Sequence, residues 1–223
     1  MVTMARRAPL SAALAAGIPA GIQGHGAWSG RRQLFVRFAG EAETATMYTA
    51  DRLADELRRL VSQRRVHSVS ISGRDPLGSA AFLAATFFAY RPELPVMLDT
   101  DGQRPEAIPG LRQYLTMVQV TVDFPASKPI LDRAVESLAV AAGVGHTHAL
   151  VLAPRPDTSE VQILRVIEQA HRASDGTMIV VHPHALPETG APDRRWSDLL
   201  DHALSVHADV RLILRLPPPL GMR

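Results

Sequence analysis

The chain contains no cysteine. That absence excludes disulfides, thiolate nucleophiles, cysteine-ligated zinc and ordinary iron–sulfur ligation. Lysine is almost missing as well: Lys128 is the only one among 24 lysines and arginines, and the formal net charge is only +2. The basic pairs Arg6-Arg7, Arg31-Arg32, Arg58-Arg59, Arg64-Arg65 and Arg194-Arg195 are scattered and carry no interleaved aromatics, so nucleic acid is not an expected partner. No apolar run reaches the roughly 20 residues needed to span a bilayer. No membrane association is expected, and the composition is compatible with a cytoplasmic location. Repeats, low-complexity tracts and linkers are also lacking.

What is present is an ordinary globular share of apolar residues, 46%, in a chain long enough for one large domain with a substantial core. The expectation is a single domain over 1–223, with residues 1–20 a flexible or short helical N-terminus. Arg6-Arg7 and the alanine-rich stretch after them faintly resemble a signal peptide, but Pro9, Gly17 and Pro19 interrupt it.

Strand-like and helix-like segments then alternate. Gln33–Phe38 predicts a strand. Thr49–Arg64 predicts a helix, with Leu53, Leu57, Leu60 and Val61 at helical spacing and Thr49 or Asp51 as cap. His67–Ser72 predicts a strand, Ser79–Tyr90 an apolar helix, Pro95–Asp99 a strand, and Pro105–Leu115 a helix broken at Pro109-Gly110. Val118–Val122, Ala149–Ala153, Thr177–Val181 and Val210–Leu214 predict further strands. Pro129–Ala142, Thr158–Arg172 and Trp196–Val206 predict the intervening helices. Such alternation implies a parallel sheet with right-handed crossovers, closed into a barrel or wound on both faces. His182–Pro192 reads as a surface loop and Pro217-Pro218-Pro219 as a rigid tail.

Four successive strands end in a carboxylate: Glu41 follows the first, Asp75 the second, Asp99 and Asp101 close the third, Asp123 the fourth. Arg155, His182 and His184 follow later strands. In a parallel α/β barrel these positions share one rim, where sites are built.

The segment Ile22-Gln23-Gly24-His25-Gly26, followed by Phe35-Val36-Arg37-Phe38-Ala39-Gly40, resembles the opening of the radical S-adenosylmethionine enzyme family of 7-carboxy-7-deazaguanine synthases, which write I-Q-G-E-G and then F-V-R-x-A-G-C-N. Ser70 to Leu77 is similar to the family's S-x-T-G-G-E-P-L, Leu98 to Gly102 to L-E-T-N-G, and Val120 to Ser127 to D-x-K-x-P-S. Val210 to Ile213 and the terminal residues are similar to the family's last strand and tail. The resemblance spans nearly the whole chain. It implies an incomplete (β/α) barrel of the radical S-adenosylmethionine type, with parallel strands and outer helices, and a homodimer.

The departures from the pattern are chemical. The family's three cluster cysteines fall on Glu41, Ala45 and Tyr48, in a loop expected between the first strand and helix. No cluster is expected there, and without one there is no electron donor to cleave the sulfonium of S-adenosylmethionine. By resemblance, Gly73, Asp75, Thr100 and Asp101 stand where the cofactor is bound, but the second glycine of the motif is Arg74, which either fills the cofactor's space or pairs with Asp75. Binding of intact S-adenosylmethionine is left open. Gln23 and His25 stand at substrate positions, with His25 replacing a glutamate. Phe124 replaces a lysine, and Arg215-Leu216-Pro217-Pro218 stands where the family has a Q-x-H-K run. The expected protein is a cluster-free pseudoenzyme. It binds a nucleoside-like ligand, related to S-adenosylmethionine, purine or pterin, or a protein partner. The alternative is a repurposed biosynthetic enzyme in which Asp75, Asp99, Asp123 and His182 carry acid–base chemistry.

Other constellations are weaker. His182-Pro183-His184 with Asp123 or Asp99 suggests a divalent metal, but Pro183 disturbs the spacing, and no metal site is assigned. His146-Thr147-His148 precedes its strand and reads as a solvated loop. Ser70 and Ser72 have no histidine placed in sequence to activate them. Phe82, Phe87 and Phe88 form either core or an exposed interaction patch.

Overall fold

A computed structural model describes residues 10–184 and 194–214. Among them, ten strands form one sheet: β1 (Ser11–Ala15), β2 (Ala20–Ile22), β3 (Arg32–Phe38), β4 (Ala45–Thr49), β5 (Ser68–Gly73), β6 (Val96–Thr100), β7 (Met117–Asp123), β8 (Thr147–Ala153), β9 (Met178–Val181) and β10 (Val210–Leu212). Five α-helices connect them: α1 (Ala50–Gln63), α2 (Ala80–Tyr90), α3 (Lys128–Gly143), α4 (Glu160–Ala173) and α5 (Arg195–Val206). Short 3-10 turns cover Pro76–Ser79 and Pro105–Leu111. The second takes the place of the helix expected over Pro105–Leu115, because Pro109 removes a donor from its middle.

The strand order is β10-β9-β8-β7-β6-β5-β3-β1-β4, with β2 paired to β3. Along β3-β5-β6-β7-β8-β9-β10 every pairing is parallel, and each new strand is laid beside the last; β4 instead pairs antiparallel with β1 at the edge. Right-handed crossovers without a reversal of order place all connecting helices on one face. The contacts agree: α1 packs on α2, α3 on α4, and α4 on α5. This is a mostly parallel sheet with flanking helices.

Local chemistry accounts for the elements. Thr49 caps α1, its hydroxyl accepting from the Arg52 N–H at 3.3 Å. Leu53, Ala54, Leu57 and Leu60 face inward on that helix, and each buried leucine contributes roughly 1.5–3 kcal/mol. Val144 caps α3, and Gly145 then turns the chain at φ +82°. In α2, Phe82 and Phe87 are core, whereas Phe88 is 68% exposed. One exposed ring does not make the interaction patch that the three phenylalanines suggested.

Three expectations are corrected. Ser11–Ala15 is a strand, not a frayed helix, and it pairs antiparallel with β4 from Ser11↔Thr49 to Ala15↔Ala45. Residues 45–49, expected in a cofactor loop, are therefore strand. Thr46, Tyr48 and Thr49 are β-branched or aromatic residues that suit an edge strand better than a loop. His146 and His148 are buried rather than solvated. The His148 Nδ1 lies 2.9 Å from the His146 carbonyl and its Nε2 2.9 Å from the Ser174 hydroxyl. The Pro217-Pro218-Pro219 tail, the Arg215-Leu216-Pro217-Pro218 run and most of the His182–Pro192 loop lie outside the described residues. No helix among the described residues is long and apolar enough to cross a membrane.

Candidate functional site

Side chains alternate between the two faces of a strand. The pairings Arg37↔Ser72, Ser70↔Met97, Asp99↔Gln119 and Ala149↔Met178 carry one parity across the sheet. One face takes Val36, Ile71, Leu98, Val120 and Leu150, which belong to the main core under the helices. The other takes Phe35, Arg37, Ser70, Ser72, Asp99, Gln119, Thr121 and His182. A largely polar face is thus set opposite an apolar one by register alone. A small apolar group, Met97, Met117 and Ala149 with Trp28 and Met178 against it, closes part of that second face.

The segment after β2 crosses this polar face. The Ala27 N–H donates to Gln119 Oε1 at 2.9 Å. Gly26, at φ +78°, passes so close that a Cβ would lie 2.1 Å from the same oxygen. Only glycine permits that approach, and it holds His25 over the sheet. His25 Nε2 then lies 3.3 Å from Asp99 Oδ2, while the Thr121 hydroxyl donates to Asp99 Oδ1 at 2.7 Å. The His25 and His182 rings are 5.8 Å apart, and His182 Nδ1 lies 3.1 Å from the Ile213 carbonyl.

Beside this group lies a cavity of about 530 Å³, lined by Gln23, His25, Arg37, Ser70, Ser72 and Asp99 among others. Gln23 is 2% exposed and Ser70 1% exposed. Neither side chain has a hydrogen-bond partner among the described residues. Their polar atoms open onto the cavity, where a ligand or water can pair with them. Arg37, at the mouth, is held by Glu43 at 2.5 Å. The Gly40 N–H and then Arg37 keep the Glu43 carboxyl below its usual range.

Of the residues singled out from sequence, Gln23, His25, Asp99 and His182 come together here. The others do not. Thr100 has the opposite parity and is buried on the helix side, its Oγ1 accepting from the Gly102 N–H at 3.2 Å. Asp101 is exposed and accepts from the Gln103 N–H. Asp123 is exposed at the end of β7 and pairs with His184 at 3.3 Å. Gly73 ends β5 at φ +98°, where a Cβ would meet the Phe38 carbonyl oxygen at 2.2 Å. Asp75 follows at φ 43° and caps the turn after β5 by accepting from the Gly78 N–H at 3.0 Å.

The positions that the resemblance assigns to a cofactor do not fit the groups it implies. Ala45 and Tyr48 lie three residues apart on β4, so their side chains point to opposite faces. Tyr48 is 6% exposed and lies under the Arg52 guanidinium, 4.4 Å from its ring centroid. Glu41 is tied to Arg74 at 2.6 Å, so Arg74 does not pair with Asp75. Three such positions cannot converge on one iron centre. The carboxylate that by resemblance stands at the cofactor site is engaged as well: Arg104 Nε lies 2.8 and 2.9 Å from the two Asp75 oxygens. A guanidinium stands where a ligand's cation would go.

Sequence reasoning missed Thr121, Gln119 and Arg37, and underweighted Ser70. Their common signal is strand parity, which becomes legible only when the register between β3, β5, β6 and β7 is known. No cluster of three or more His, Cys, Asp or Glu arranged for a metal occurs among the described residues.

No protein-family model matches the chain. The chain is 24% identical, over 240 aligned positions, to 7-carboxy-7-deazaguanine synthase from Methanothermobacter thermautotrophicus, with 91% of this chain and 94% of that protein covered. That similarity, in a chain with no cysteine, supports a distant relationship that spans nearly the whole length of both.

Proposed function

We propose that the chain is a cluster-free relative of the radical S-adenosylmethionine enzymes. In this reading it binds a compact, polar, purine- or pterin-like ligand in the cavity on the polar face of the sheet, without radical chemistry. A sheet that adds strands in one direction, with helices on one face only, supports curvature into a partial barrel whose inside is that polar face. The observation that carries the reading is the pair of buried, unpartnered polar side chains, Gln23 and Ser70, lining a cavity of about 530 Å³. That volume lies in the usual range for small-molecule sites. A planar heterocycle with donors and acceptors on its edge satisfies a carboxamide, a hydroxyl and the Asp99 carboxylate at once.

Calorimetric titration with guanine, pterin and S-adenosylmethionine tests this. The expected result is that a heterocycle binds, that S-adenosylmethionine does not, and that Gln23→Ala and Ser70→Val each weaken binding by roughly tenfold, the worth of a buried hydrogen bond. Failure of every heterocycle to bind sinks the reading.

One observation favours a second reading, acid–base catalysis in the same cavity. Asp99, oriented by Thr121, holds the His25 imidazole, an arrangement suited to moving a proton to or from a bound ligand. Hydrogen–deuterium exchange at an acidic position of a bound heterocycle, lost in His25→Gln, distinguishes catalysis from binding.

A further inference from the structure

At the opposite end of the sheet from the cavity, two imidazoles meet. His171 lies in the last turn of α4. His207 is the residue that caps α5, its N–H donating to the Ala203 carbonyl. Their Nδ1 atoms are 3.1 Å apart and the rings are nearly perpendicular, at 75°. His207 is 2% exposed, whereas His171 is open to solvent. His207 Nε2 lies 2.5 Å from the Thr177 carbonyl. A carbonyl only accepts, so Nε2 carries the proton and Nδ1 presents a lone pair towards His171.

We propose that His171 and His207 form a two-imidazole site for a divalent transition-metal ion of the zinc, nickel or copper class. Three features carry this. Two nitrogens 3.1 Å apart subtend about 98° at an ion placed about 2.05 Å from each, between the octahedral and tetrahedral angles. The backbone carbonyl on His207 Nε2 is the partner that fixes the tautomer and orientation of metal-bound histidines. Both imidazoles stand at helix C-termini, where the partial negative charge of the exposed carbonyls favours a cation. Arg172, the neighbouring cation, pairs with Glu168 at 3.4 Å. Water fills the other coordination positions, so the ion exchanges readily and clamps α4 to α5. The site is independent of the cavity and of any ligand there.

The test uses the full chain, stripped of metal by chelation and titrated separately with Cu²⁺ and Zn²⁺. The structure predicts one ion per chain at this site, copper tighter than zinc, nitrogen couplings from two imidazoles in the Cu²⁺ paramagnetic resonance spectrum, and a higher unfolding temperature with metal. His171→Ala is expected to weaken binding at least tenfold and to abolish the metal-induced rise in unfolding temperature; it also lowers the metal-free unfolding temperature, because the buried His207 Nδ1 loses its hydrogen-bond partner. Equal affinity in that variant places the ion at another histidine pair, such as His146 with His148, and overturns the proposal. So does a spectrum with fewer than two nitrogens, or no binding of either ion.

Discussion

Asp99 Oδ2 lies 3.3 Å from His25 Nε2, although 74 residues separate them in the chain. The side chain of Asp99 is only 12% exposed, and its other oxygen accepts from Thr121. The carboxylate therefore joins β6, β7 and the segment after β2 at the cavity wall, and it is the charged group best placed to orient both His25 and a ligand.

Asp99→Asn tests that placement. The amide keeps the shape but loses the charge and one acceptor. Charge-assisted hydrogen bonds are worth about 1.5–3 kcal/mol, so ligand affinity in the calorimetric titration is expected to fall by tenfold or more. The far-ultraviolet circular dichroism spectrum is expected to stay that of the parent.

Gly73 and Gly17 form a matched pair. Both have positive φ, but a Cβ at Gly73 meets the Phe38 backbone oxygen at 2.2 Å, whereas nothing lies within 4 Å of one at Gly17. Gly17→Ala is expected to cost about 1–2 kcal/mol from backbone conformation alone. Gly73→Ala adds a clash with a strand that cannot move cheaply and is expected to cost several kcal/mol or to prevent folding. Urea unfolding midpoints of the two variants decide the order.

Stability is expected to fall in acid. Burial pushes the His146 imidazole below its ordinary value, with Arg112 and His148 adding to the shift. His67 is lowered by desolvation and by Arg31. The unfolded chain takes up these protons first as pH drops through about 6.5, so stability is intact above that value and is lost progressively below it. His202 runs the other way: its hydrogen bond to Glu160 raises its value, so its contribution is present in acid and lost as pH rises. That pair is solvent-exposed and weak. The net expectation is a lower urea midpoint at about pH 5 than at about pH 8, with the difference reduced in His146→Gln.

Placing cysteines at the cluster positions that the resemblance implies is not expected to build a cluster. In Glu41→Cys/Ala45→Cys/Tyr48→Cys, the last two thiols lie on opposite faces of β4. Anaerobic reconstitution with iron and sulfide is expected to leave no stoichiometric iron after gel filtration. Retention of four irons per chain means that β4 melts into a loop, and it contradicts the strand pairing with β1.

Much of the fold was legible beforehand, because apolar periodicity acts locally. The Val-Ser alternation of β5 and the leucine spacing of α1 announce their elements without help from the rest of the chain. β1, β2 and β4 were not legible. They are short, alanine- and glycine-bearing segments that exist as strands through their partners: Ala45–Thr49 is extended because Ser11–Ala15 lies beside it. The site was half legible. Gln23, His25, Asp99 and His182 stood out as residue types at strand ends or motif positions, whereas Thr121, Ser70 and Gln119 sit inside strands, where sequence shows only alternation.

The sequence by itself determined the chemistry that is excluded: a chain without thiolates cannot hold an iron–sulfur cluster in the usual way, wherever its strands lie. It also determined most of the order of strands and helices, β1, β2 and β4 excepted, since side-chain periodicity follows from backbone geometry. Only the tertiary structure decided which acids matter. Asp75, Asp99 and Asp123 are alike as strand-end carboxylates, yet register and neighbouring side chains give one to Arg104, one to His25 and one to His184. Pairing across the sheet links residues far apart in the chain, and no local pattern encodes it.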